Sequence, residues 1–150
     1  MGQSLAKNYI HIIFSTKHHK PFINETIEKE LYSYIGGICN NLECHTIIAG
    51  GYREHVHILC MLSKKITLIK LLEDVKSHSS KWIKTKGEKF KNFYWQNGYG
   101  AFSVSPSEVN EVKAYIENQK EHHKKMTFKE ELLSFLKMYN VDYDERYLWD

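Results

Sequence analysis

The sequence has no apolar run near the roughly 20 residues that a helical membrane span requires, so no such span is expected. Its opening, "MGQSLAKNYI", has no signal-peptide core, which makes a cytoplasmic location the expectation. Cysteine is scarce. Cys39, Cys44 and Cys60 are odd in number and lack the double pair of a zinc site, which excludes a disulfide framework. They read as reduced thiols, with a redox or metal role left open for Cys39 and Cys44. There are only two prolines, Pro21 and Pro106, and no repeat, low-complexity segment or linker divides the chain. One domain over residues 1–150 with a real core is expected.

Charge is close to balanced, 21 basic against 18 acidic residues, but it is unevenly spread. Residues 64–91 carry nine lysines against Glu73, Asp74 and Glu88, while the terminal "VDYDERYLWD" is acidic. The basic stretch is either a phosphate-contacting surface or a solvated helix face.

"YIHIIFST" (9–16) has strand composition. Asn24 is placed to cap a helix with Ile27, Leu31, Ile35 and Ile38 at helical spacing, despite Gly36 and Gly37 inside it. "CHTIIAGG" (44–51) reads as a second strand, and Gly50, Gly51 and Tyr52 as a turn before a third, "HVHILCML" (55–62). Thr67 opens a helix that buries Leu68, Leu71, Leu72, Val75 and Trp82 and stops at Gly87. Residues 93–105 hold strand residues around an Asn97-Gly98 turn signal. Ser105, Pro106 and Glu108 predict a capping box at the start of the next helix. A last helix covers about 127–139. The order β-α-β-β-α-β predicts an α+β, ferredoxin-like (RRM-like) split βαβ sheet with helices on one face and the third strand beside the first.

In "REHVHILCML" (53–62), His55 and His57 alternate with Val56 and Ile58. Strand side chains alternate faces, so the two imidazoles share one face. The pair fits either a metal ion or a half-polar sheet face, and His11 on the first strand is placed to join it. The helix after the last strand, about 106–123, has an apolar stripe of Val109, Val112 and Ile116. Tyr115 and Gln119, four apart, stack on one flank of it, and His122 extends that flank. If the stripe docks on the open face, the flank meets the histidines.

"HVH" at 55–57 followed by "YIENQ" at 115–119, together with "WQNGYGAFSVS" and the terminal "YDERYLW", resembles the single-tyrosine HUH transposases of small insertion sequences, the IS200-like group. The resemblance covers nearly the whole chain. It implies that Tyr115 is the nucleophile and that His55, His57 and Gln119 hold a divalent metal, Mg²⁺ or Mn²⁺. It implies cleavage and rejoining of single-stranded DNA at hairpin-marked ends through a 5′-phosphotyrosine. It also implies a homodimer whose composite sites take Tyr115 from the partner. Lys76, Lys81, Lys84 and Lys86 are the expected backbone-phosphate contacts. His122 is a candidate to take the proton from Tyr115. The core would span about 8–105, the catalytic helix about 106–123, and a C-terminal helix and tail about 127–150.

Three other readings remain at this point. A domesticated relative would cut repeated hairpins without moving itself. An RRM-type binding module shares the sheet order, and "GYGAFSV" (98–104) echoes its motif, but Ala101 stands where an aromatic is wanted and Asn97 where a base is wanted. A metal enzyme of another class on the same fold would not need Tyr115.

Overall fold

The structure is a computed structural model and describes residues 2–150. Four strands form one antiparallel sheet: β1 (Tyr9–Ser15), β2 (Thr46–Tyr52), β3 (His55–Met61) and β4 (Gly100–Val104), in the order β2-β3-β1-β4. This is the ferredoxin-like sheet that the element order predicts. β1 and β3 are central because their composition suits burial on both faces. Ile10, Ile12 and Phe14 of β1 and Val56, Ile58 and Cys60 of β3 point one way, into the main core. There they meet Leu31, Ile35 and Ile38 of α1 (Glu28–Asn41) and Leu71, Leu72, Val75 and Ile83 of α2 (Leu68–Lys84).

The opposite face carries His11, Ile13, His55, His57 and Leu59. It is covered by the rest of the chain: α3 (Val109–Glu117), α4 (Gln119–His122) and α5 (Phe128–Met138). Ile116 of α3 packs with Leu59 and Val104. Phe128, Leu132 and Leu136 of α5, spaced four apart, pack with Ile13 and Phe102. Gly50 lets α3 approach closely, since a Cβ there would lie 3.0 Å from Cγ2 of Ile116. No helix among the described residues is long and apolar enough to cross a membrane.

Local signals fare unevenly. Thr67 Oγ1 accepts from the backbone N–H of Lys70 at 3.1 Å and caps α2, whereas Asn24 Oδ1 accepts from that of Ile27 at 3.1 Å in the turn before α1, which starts at Glu28 without a side-chain cap. The Ser105 capping box does not form: Ser105 Oγ lies 3.1 Å from Ser107 Oγ, Pro106–Glu108 is a 3-10 turn, and the helix starts at Val109. The expected single helix over about 106–123 is broken at Asn118, which lies between α3 and α4. The turn between β2 and β3 is Arg53-Glu54, because Gly50, Gly51 and Tyr52 stay paired with β3. Asn97-Gly98 makes no hairpin. Trp95 on its near side still bridges Thr16 at the end of β1, so the chain follows β1 on both sides of the dipeptide.

Candidate active site

The open-face residues meet beneath the three last helices. His55 and His57 are fully buried, as are Gln119 of α4 and Glu131 of α5. Glu131 Oε1 lies 3.2 Å from Nε2 of both His55 and His57. Gln119 Oε1 lies 3.0 Å from His55 Nε2, and Gln119 Nε2 donates to Glu131 Oε2 at 3.0 Å. Tyr115, partly buried on α3, donates its hydroxyl hydrogen to Glu131 Oε2, and His122 Nε2 lies 2.9 Å from the same hydroxyl. The chain therefore brings His55, His57, Tyr115, Gln119 and His122 together, and adds Glu131.

The ring nitrogens that face away from the centre are all engaged. His55 Nδ1 donates to Glu54 Oε1 at 2.8 Å, and His123 Nδ1 donates to the Met126 carbonyl at 2.8 Å. His57 Nδ1 lies 2.8 Å from Nε2 of His11, which is itself buried, so His11 supports the pair from behind. Such contacts fix the ring orientation and the tautomer, and leave the inner Nε2 free to accept. Three inner nitrogens, of His55, His57 and His123, then crowd against Glu131 Oε1 and Gln119 Oε1. Five acceptors at such distances repel unless a proton or a cation lies among them. Ligand atoms of His55, His57 and Glu131 lie within 4.8 Å of one another, a spacing a divalent ion can bridge.

Protons satisfy the cluster in part. Burial alone would lower the pKa of His55, but hydrogen bonds to Glu131 and Glu54 outweigh it and raise it to about 9. His57 is pushed down, chiefly by burial. Burial and then the neighbouring His57 push His11 down to about 3. Burial opposes charge on Glu131 too, yet hydrogen bonds from His123, His55 and His57 hold it far below the usual carboxylate range. Tyr115 is raised, first by burial and then by the charge of Glu131.

The family described as Transposase IS200 like matches residues 4–119. The chain belongs to that family. This IS200-like transposase chain also shares its fold with two solved structures. One is a candidate transposase of Deinococcus radiodurans R1, at 18% identity, with 79% of this chain and 96% of that one covered and a TM-score of 0.62. The other is a REP-associated tyrosine transposase bound to a REP hairpin, at 11% identity, with 82% and 73% covered and a TM-score of 0.59. Among curated proteins none matches the sequence. Membership of the transposase family sets aside the RRM-type reading.

Of the expected phosphate contacts, Lys76, Lys81 and Lys84 lie on α2 and Lys86 just beyond its end, across the sheet from the histidines. The Lys76 ammonium donates to the carbonyls of Gln96, Asn97 and Gly98 at 2.9, 3.1 and 2.7 Å, so it pins that segment. Lys84 donates to Ser80 Oγ at 3.1 Å, and Lys86 pairs with Glu30 at 3.3 Å. Cys39, Cys44 and Cys60 are buried and free, away from the site. Glu131 escapes a motif-based reading because it lies beyond the matched residues. Its signal is a carboxylate three residues after Phe128, on the apolar stripe of an amphipathic helix.

Proposed function

We propose that this transposase cuts and rejoins single-stranded DNA at hairpin-marked ends, with Tyr115 as nucleophile. The observation that carries the reading is the single carboxylate of Glu131, which meets the histidine pair through one oxygen and the Tyr115 hydroxyl through the other. An attacking group and a cation site one carboxylate apart can both reach one phosphate. The hairpin carried by the REP-associated relative supports DNA of that form as substrate.

His55, His57, Gln119 and Glu131 would hold the metal. Two nitrogens and two oxygens would leave two positions of a six-coordinate ion for water and a phosphate oxygen, a donor set that suits Mn²⁺ or Mg²⁺. The cation supplies charge stabilisation at the scissile phosphate. Tyr115 oxygen forms a bond to phosphorus and the bond from phosphorus to the 3′-oxygen breaks. The phenolic proton passes to His122 Nε2, 2.9 Å from the hydroxyl, and the 3′-oxygen departs as a hydroxyl after gaining a proton from solvent. The product is a 5′-phosphotyrosine, a phosphodiester again, so attack by another 3′-hydroxyl reverses the step without ATP.

The site is complete within one chain. α3 closes on Gly50 of its own β2 and delivers Tyr115 to its own histidines. We therefore place the tyrosine in cis, where the family resemblance implies a partner's tyrosine in a homodimer. The test of the function is a covalent adduct. Incubated with hairpin-ended single-stranded DNA and Mn²⁺, the protein should form a DNA adduct that survives denaturing electrophoresis, and EDTA should prevent it. No adduct on any hairpin-ended substrate would contradict the proposal.

A further inference from the structure

A groove of about 570 Å³ opens beside the histidines, between His19 of the loop after β1 and the loop joining α4 to α5. Its inner wall is formed by Glu54, His123 and Phe128, which all contact His55. The groove therefore ends at the site. Lys124, Lys125 and Lys129 line it, all exposed; Lys124 pairs with Glu121 at 2.9 Å, and the Lys129 ammonium lies 5.1 Å from the Trp149 ring. Two acidic residues line it as well, but both are engaged inside the fold. Glu54 accepts from His55, and Glu130 closes the capping box with Thr127 at the start of α5. Three lysines against these two carboxylates leave the lining net positive by one.

Its walls are rigid and flat. The ring of Tyr52 stacks on His123, with centroids 5.4 Å apart and planes 6° from parallel. The Arg53 guanidinium lies 5.2 Å from the Tyr52 ring. His18 and His19 both have left-handed backbone, φ 60° and 55°, which is uncommon for residues other than glycine. The His19 ring is held edge-on by Phe128 and Trp149, and its Nε2 has no partner.

We propose that this groove carries the DNA strand next to the scissile phosphate, with backbone phosphates on Lys124, Lys125 and Lys129. The proposal rests on the transposase reading and moves the DNA path from α2 to the face that holds the site. The contacts are to backbone and position the strand without reading its sequence.

The test is fluorescence anisotropy with a labelled single-stranded oligothymidylate of about 12 nucleotides, in EDTA so that no cleavage occurs. Log affinity of the wild type should fall linearly with log salt. The triple variant Lys124→Gln/Lys125→Gln/Lys129→Gln should bind more weakly and lower that slope by about 0.7 per lost contact. Lys81→Gln/Lys84→Gln/Lys86→Gln, with the same change in charge, should leave the slope unchanged. If the wild type binds and the groove variant keeps its slope, the groove is wrong and the transposase reading stands. Equal losses in both variants reduce the effect to net charge and also overturn the groove. A wild type that binds no single strand contradicts both readings.

Discussion

The hydroxyl of Tyr115 on α3 donates to the carboxylate of Glu131 on α5. That bond ties the proposed nucleophile to a helix beyond the family-matched residues, and through Glu131 to His55 and His57. A negative carboxylate beside a phenol favours its protonated form, so without a cation the arrangement positions Tyr115 but does not activate it. A divalent ion held by Glu131 would offset that charge and reverse the effect.

Glu131→Gln should separate the metal role from packing. The amide keeps the volume and a donor–acceptor pair but removes the charge. Mn²⁺ affinity by calorimetry should fall at least tenfold while the thermal transition stays cooperative. Unchanged affinity would remove Glu131 from the ligand set.

His11→Phe keeps a flat ring at a position packed edge-on against Phe135, with centroids 5.2 Å apart. It removes the partner of His57 Nδ1. Loss of such a supporting contact costs about 10- to 100-fold in metal affinity. Calorimetry with Mn²⁺ should show a loss in that range, and wild-type affinity would mean that the sheet alone orients His57.

Metal binding should depend on pH with a definite sign. His55 is raised to about 9, so in the metal-free protein it is protonated at neutral pH and the metal must displace that proton. Apparent Mn²⁺ affinity should rise about tenfold per unit between pH 7 and 9, then level off. The same group makes metal-free stability fall over that window. Its folded pKa exceeds the unfolded value near 6.5, so its contribution is full below about 6.5 and is lost as pH rises through 9. A flat affinity profile would show that His55 Nε2 carries no displaceable proton.

The cis arrangement predicts failure of complementation. His57→Ala and Tyr115→Phe chains, co-expressed with different tags and purified together, should form no adduct, because every site lacks one component. An adduct carrying the tag of the His57→Ala chain would show that α3 crosses to a partner.

Much of this was legible from spacing. The alternation in "HVHILC" places both histidines on one sheet face, and Tyr115 and Gln119, though split between α3 and α4 by Asn118, still converge on them. What failed was local chemistry with two outlets. Ser105 bonds Ser107 instead of capping, and Asn97-Gly98 is held by Lys76 and Trp95 in an excursion along β1. At Lys76 the sequence shows only a charge, while the fold shows three carbonyls around it. Glu131 lay hidden because one carboxylate on a helical stripe reads as ordinary until the residues beneath the helix are known.

The central claim is that Tyr115 is the nucleophile, and mapping of the covalent bond tests it most directly. The adduct formed on hairpin-ended single-stranded DNA with Mn²⁺ should be digested with nuclease and protease and its peptides weighed. The account predicts a nucleotide 5′-phosphate on the peptide containing Tyr115, and no adduct from Tyr115→Phe despite undiminished DNA binding. A nucleotide on any other residue, or an adduct of equal yield from Tyr115→Phe, would contradict it.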